Sequence, residues 1–274
     1  GPLSNPHARP YPKDLRFVGE YDWDDQCTGS TVTTSFSHRF PSDLTVLQIP
    51  LGDEMEFVPS EAWFETPGQS LAEALVMGAS RALGIEDDEL EGGFRTRSAE
   101  HADIDARGVI EVFLFDTTAG GAGFSSRVWE EFDAVCAEAR SILESCSCDT
   151  ACHNCLRRYQ NRHLHDSLNR HEGLALLDYA QTGTPPTLRP DKTQSLIKQL
   201  ERALELKEED VALRTIDDDK WEIEIDGTTM TFGIRSSLRR SRAPTSATYD
   251  EDYSDYELSQ RLPEVAHSIV DQLQ

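Results

Sequence analysis

The sequence predicts an α+β fold: a small mixed sheet with packed helices and a four-cysteine knuckle, followed by a small C-terminal α+β appendage. Three observations lead there. Strand-like runs of two kinds precede residue 116, one strictly alternating and one apolar nearly throughout. A helix with the clearest 3.6-residue period in the chain comes next, and four cysteines crowd its end. Past residue 190 the pattern starts afresh with an amphipathic helix and a sharply turned hairpin.

The 274 residues suffice for one large domain or two smaller ones. Fifty Asp and Glu against 26 Lys and Arg leave a net charge of −24, which excludes the electrostatic footprint of a DNA-coating protein. Such an excess fits solubility or a basic protein partner. Of six cysteines, only Cys27 and Cys136 stand outside the cluster, a usage suited to a reducing compartment and hence to the cytoplasm. No apolar run reaches membrane-spanning length and no signal peptide opens the chain, so no membrane partner is expected. Gly1-Pro2-Leu3-Ser4 reads as the scar of a cleaved tag, and residues 1–14, with Pro6, Pro10 and Pro12, as an extended lead-in.

Residues 15–183 are expected to form the main domain. From Thr31 to Phe40, Val32, Thr34, Phe36, His38 and Phe40 share one face of a half-buried strand, with His38 a core histidine. Pro41-Ser42-Asp43 turns the chain into a second strand, Thr45–Ile49, antiparallel to the first. Ser70-Leu71-Ala72-Glu73 has the form of a capping box that opens a helix to Leu83, stopped by Gly84. Residues 86–91 read as a solvated acidic turn, and Phe94–Arg97 as a weak strand. Val109–Phe115 suits a central strand covered on both faces.

That strand runs into Asp116-Thr117-Thr118-Ala119-Gly120-Gly121-Ala122-Gly123 and then a helix N-terminus at Ser125 or Ser126. Strand, glycine turn and helix start are the parts of an anion cradle, with Gly120, Gly121 and Gly123 as its backbone. No Lys-Ser/Thr follows, and the dinucleotide-binding glycine spacing is absent. The alternative, favoured on chemistry alone, is a tight turn that needs positive φ. The helix that follows buries Val128, Phe132, Val135, Cys136, Ala139, Ile142 and Leu143, which makes Cys136 an inert core thiol.

One further turn delivers Cys146, Cys148, Cys152 and Cys155, spaced C-x-C-x3-C-x2-C. Thiolates this close in sequence converge when the backbone folds around a metal, and they make poor disulfide pairs. Zinc in a closed, structural four-sulfur site is the expected occupant; spacing alone does not separate it from an iron–sulfur cluster. Immediately after it, Arg157, Arg158, Arg162 and Arg170 gather with several histidines and invert the charge of the chain. This patch is the place for phosphate backbone or an acidic partner to dock, unless the arginines pair with nearby carboxylates. Asn169 and Glu172 cap a helix that ends near Gly183, before Pro185-Pro186.

Residues 190–274 are expected to form the appendage. Leu196, Leu200, Ala203 and Leu204 share a helix face. Asp226-Gly227 makes a type I′ turn that pairs Ile223 with Met230 and Trp221 with Phe232. Arg235, Arg239, Arg240 and Arg242 make a second basic spot, with Arg239 and Arg240 expected as phosphate contacts. An acidic linker is expected around 244–257, where Tyr249–Glu257 reads as disordered, with internal mimicry of DNA charge as the sharper alternative. Pro263 opens a closing helix through Leu273.

The strand ending Phe115-Asp116-Thr117-Thr118-Ala119-Gly120-Gly121-Ala122-Gly123-Phe124, the long helix and the cysteine cluster together resemble one family. It is the MrfA-type zinc-binding domain found at the C-terminus of superfamily 2 DNA helicases, and the resemblance covers roughly residues 30 to 182. It implies that Cys146, Cys148, Cys152 and Cys155 hold one zinc ion per chain. It further implies a setting in DNA repair, or in antiphage systems such as DISARM and Druantia. No Walker A lysine motif and no Asp-Glu-x-His box occurs, so the ATPase motor is expected upstream or on a partner chain. Two functions follow as expectations. One is a non-catalytic accessory domain that helps to engage or gate single-stranded or forked DNA beside the helicase motor. The other is a protein-interaction platform that assembles a helicase-containing defence complex without touching DNA. A hydrolase or nuclease is a poor third, because a four-sulfur site leaves no open metal position.

Overall fold

The computed structural model of the chain describes residues 39–57, 62–98, 106–208, 210–217, 220–241 and 249–274. Most of the expected Thr31–Phe40 strand, together with Cys27, His38 and Arg242, lies outside them. Residues 41–274 form one contact unit that contains two apolar cores.

The first core is built on three strands, β1 (Leu44–Leu51), β2 (Leu90–Ser98) and β3 (Gly108–Asp116). The apolar strand is central, as its composition predicts: the order is β1-β3-β2, antiparallel throughout. Alternation sends Ile110, Val112 and Leu114 into the core beside Leu71, Leu75 and Val76 of α1 (Ala62–Leu83). Helix α1 begins well before the expected capping box, with Phe64 buried in its first turn. Ser70 and Glu73 therefore lie inside the helix, and both serve distant segments. The Ser70 hydroxyl accepts the Asn169 N–H at 2.8 Å, and Glu73 pairs with Arg158. Gly78 lets α1 approach the helix beside it; a Cβ there would stand 2.7 Å from the Val135 carbonyl.

On the other face of β3, Glu111 is only 1% exposed. It accepts hydrogen bonds from Gln48 on one neighbouring strand and from Arg95 and Arg97 on the other. Burial opposes ionisation, but those donors outweigh it and hold the carboxyl down at about 2. A depressed folded-state pKa stabilises the protein above the ordinary carboxyl value of 4.5, and that contribution is lost as pH falls toward 2. Glu111→Gln is expected to cost about 1–3 kcal/mol at neutral pH, because Arg95 and Arg97, 63% and 37% exposed, return to water. In urea titrations of the two proteins, the difference should shrink as pH drops from about 4.5 to 2. A difference constant across that range would contradict this assignment.

The helix expected as one piece is two: α2 (Phe124–Glu130) and α3 (Phe132–Ser145), broken at Glu131. Val135, Cys136, Ala139, Ile142 and Leu143 of α3 are buried, as the period predicts. A 3-10 turn (Arg162–Ser167) then leads to α4 (Arg170–Thr182). The Asn169 side chain caps α4 by accepting the His171 N–H, and Gly183 closes it in the left-handed conformation.

The second core is covered by α5 (Pro190–Glu205), α6 (Asp255–Gln260) and α7 (Leu262–Leu273). Its sheet runs β4 (Val211–Asp217), β5 (Lys220–Ile225), β6 (Thr228–Arg235) and β7 (Glu251–Ser254). The β5–β6 register pairs Ile223 with Met230 and Trp221 with Phe232, with Asp226 and Gly227 both at positive φ, as a type I′ turn demands. The disorder expected for Tyr249–Glu257 is corrected. Glu251–Ser254 pairs in parallel with β6, and Ser254 and Glu257 form the capping box of α6. Local composition reads as acidic and solvated there, whereas a parallel strand is specified by a partner far away in sequence. Just beyond β6, Leu238 crosses to the first core and is buried in it.

Candidate metal centre

The glycine turn holds an anion, but an internal one. Asp116, fully buried at the end of β3, accepts the N–H groups of Ala122 and Phe124 on one carboxylate oxygen and of Ser125 on the other. Burial opposes its charge, yet the N–H groups of Ser125, Ala122 and Phe124 hold the carboxyl below its usual value. Gly120, Gly121 and Gly123 all have positive φ, and a Cβ on Gly121 would collide with the Asp43 carboxylate. The tight turn favoured from the sequence is what forms, and the alternative of a cradle for an external anion is corrected: the chain fills it with its own carboxylate. The cue was Asp116 itself, placed where an incoming phosphate would sit.

Helix α3 ends at Ser145, and Cys146 follows in extended conformation, which turns the chain back across the helix end. The next ten residues bring four sulfurs together. Cys146 Sγ lies 3.5 Å from those of Cys148 and Cys152, and Cys155 Sγ lies 3.6 Å from Cys148 and 3.9 Å from Cys152. Among the described residues these four form the group able to hold a metal, all within 4.8 Å of one another. A tetrahedral ion with sulfur at about 2.3 Å requires sulfurs about 3.8 Å apart, so the spacing fits zinc and is far too long for disulfides. The N–H of Cys152 donates to Cys155 Sγ, and that of Asn154 to Cys152 Sγ, as befits charged sulfur.

Electrostatics ask for a cation. The N–H of Cys148 and the neighbouring thiols lower Cys146 to about 7. Burial, reinforced by the crowded sulfurs, pushes Cys148 up to about 12, and burial also raises Cys155. Four thiolates cannot share this space unless a metal ion neutralises them.

Residues 71–156 match the family model described as the MrfA Zn-binding domain. The match runs from α1 to just past the fourth cysteine. The chain contains an MrfA-type zinc-binding domain. It is also 32% identical over 212 residues to the Druantia protein DruE of Escherichia coli (strain UMEA 4076-1), a match that takes in 75% of this chain and 11% of DruE. The chain thus spans about a tenth of that relative. A crystal structure of the helicase MrfA bound to DNA superposes with a TM-score of 0.32 at 16% identity, over 46% of this chain and 16% of that one. Zinc is the cofactor that fits, and held by these four sulfurs it would be a closed structural staple with no position for substrate or water. No helix among the described residues is long and apolar enough to cross a membrane.

The zinc-binding domain secures its knuckle from behind. Cys155 is fully buried in the first core with Ala151 and Leu156. Arg170, which the sequence groups with a docking patch, is instead a buried brace. Its guanidinium donates to the carbonyls of Cys148 and Leu143, tying knuckle to helix end. Arg158 is likewise corrected as a docking residue. Its side chain is 8% exposed and bonds Glu73, itself 5% exposed, at 2.7 Å, as well as the Asp87 carbonyl. Asn161, which no sequence signal marks, bonds Glu73 and the Leu156 carbonyl and accepts the Arg158 N–H. His165 donates through Nε2 to the Arg158 carbonyl. Two of the expected arginines keep free charge: among the described residues neither Arg157 nor Arg162 joins an ion pair. Arg157 donates to the His165 carbonyl, and the Arg162 guanidinium lies 4.7 Å over the Tyr159 ring. Arg239 and Arg240 are remote from the knuckle in sequence and stand at the junction of the two cores.

Proposed function

We propose that Cys146, Cys148, Cys152 and Cys155 ligate one zinc ion, and that the surface just beyond them engages single-stranded DNA. In this reading the chain is a non-catalytic accessory domain of an ATP-dependent DNA helicase acting in DNA repair or antiphage defence. It works in the cytoplasm beside a motor located in cis or on a partner chain. The observation that carries this is Tyr159. Its ring is 77% exposed, and Arg162 lies against it while Arg157 adds a second charge that joins no ion pair among the described residues. An exposed ring beside cations can stack a base while the guanidinium groups meet the backbone, a pairing tolerant of sequence.

Fluorescence anisotropy with an oligo-dT strand tests the reading. Tyr159→Ala is expected to weaken binding about 5–100-fold, with zinc content unchanged. Arg157→Ala should flatten the salt dependence by about one unit of slope. If the unaltered chain binds no strand at low salt but captures the helicase motor, the interaction platform is the function. The net charge of −24 favours that second reading.

A further inference from the structure

We propose that the cleft where residues 186–193 meet β5 and the end of β6 is a binding site for a phosphate group. The cleft encloses about 220 Å³ and is lined by Arg235, Arg239 and Arg240, with Asp252 as its carboxylate and Trp221 as an apolar wall. Among the lining residues three guanidinium groups face one carboxylate, in a chain whose net charge is −24.

Several arginines elsewhere stand closer to a carboxylate. Arg140, Arg158, Arg214 and Arg261 all have one within 3.1 Å. In the cleft, Arg235 reaches Asp252 at 3.4 Å and donates to the Arg239 carbonyl at 2.7 Å, which fixes its guanidinium in place. Arg239 has the half-exposed Glu54 at only 3.9 Å, and its buried Nε has no hydrogen-bond partner. The exposed Arg240 side chain joins no ion pair among the described residues. A guanidinium without a close carboxylate is free to receive an anion.

The backbone beneath these arginines is fixed beforehand. Leu238 is buried in the first core, its carbonyl accepts the Glu56 N–H, and the Arg240 N–H donates to the Glu54 carbonyl, both at 2.9 Å. Residues 238–240 therefore lose little freedom when a ligand binds. Three guanidinium groups on separate backbone positions suit the several oxygens of a tetrahedral phosphate better than a planar carboxylate. The phosphate can belong to a nucleic-acid backbone or to a free phosphorylated molecule, and the site does not depend on the Tyr159 surface.

The test titrates the purified, zinc-loaded chain with inorganic phosphate by calorimetry, then with an oligo-dT strand. Saturable phosphate binding is expected, weakened roughly tenfold or more by Arg240→Ala and by Arg239→Gln. Arg240→Ala removes an exposed, unpaired side chain, so its thermal melt should match that of the parent. Binding that survives Tyr159→Ala separates this site from the stacking surface. Competition by the oligonucleotide identifies a nucleic-acid backbone as the source, and its absence identifies a free phosphorylated ligand. If neither probe saturates the parent chain, or both arginine variants bind phosphate as the parent does, the proposal is overturned.

Discussion

Removing the metal should undo the segment between α3 and α4, and Cys155→Ser should do the same. Between Ser145 and Arg170 the regular structure amounts to one 3-10 turn, so little besides the metal and the Glu73 network fixes its path. Structural zinc supplies an apparent ~10–16 kcal/mol of folding free energy in small domains, more than the whole stability of most single domains. Cys155 is fully buried in the first core, so releasing it also opens the packing around Leu156 and Ala151. Serine offers a neutral hydroxyl where a thiolate is needed, and metal affinity falls accordingly. The measurement is metal content by elemental analysis, together with the visible spectrum and a thermal melt before and after chelation. One zinc per chain without colour, and a melt that broadens or vanishes on chelation, is the expected result. Stoichiometric iron with brown absorbance would overturn it, as would a melt indifferent to chelator. Cys136 is the control. Burial, chiefly, pushes its thiol up to about 11, and it sits on the packed stripe of α3. Cys136→Ala should leave the zinc stoichiometry unchanged and cost about 1 kcal/mol in packing.

The features legible in the sequence are those written in a short window. The apolar run Val109–Phe115, period 3.6 in α3 and the Asp226-Gly227 turn each state their own geometry, and the structure realises all three. The knuckle belongs with them, because its four cysteines are neighbours in the chain. What stayed hidden depends on partners far apart. Ser70 and Glu73 have the spacing of a capping box, but their hydrogen bonds go to Asn169, Arg158 and Asn161. Asp116 turns an anion cradle into an internal cap, a substitution visible only once strand, loop and helix have closed. The pairing of β7 with β6 has no local cause. Arginines are the hardest case, since a row of them has one appearance in sequence whether they face solvent, as Arg162 does, or brace the core, as Arg170 does. Which they do is decided by the carboxylates and carbonyls that the fold brings near.

Glu73→Ala should destabilise the zinc-loaded protein by about 3–5 kcal/mol. Glu73 and Arg158 are both withdrawn from water, and Arg158 Nε is buried without a partner of its own. Deleting the carboxylate strands the guanidinium and removes an acceptor from Asn161, so two buried donor groups lose their counterpart at once. Glu73 lies on α1 and Arg158 just beyond the knuckle, so the pair fastens the segment behind the metal to the longest helix of the first core. Replacing both residues by apolar side chains of similar volume should cost less than Glu73→Ala alone, since no buried charge is then left over. Urea denaturation of the parent, Glu73→Ala, Arg158→Met and the double Glu73→Leu/Arg158→Met variant measures this directly. A loss under about 1 kcal/mol for Glu73→Ala, or a double variant worse than the sum of the single ones, would contradict it. The same cycle bears on DNA binding. Arg158 variants are expected to weaken strand binding only to the extent that they unfold the chain, so their melting curves track their affinities. Arg162 variants keep the parent's melt while binding falls. Of two arginines four residues apart, one is thereby assigned to the fold and the other to the surface.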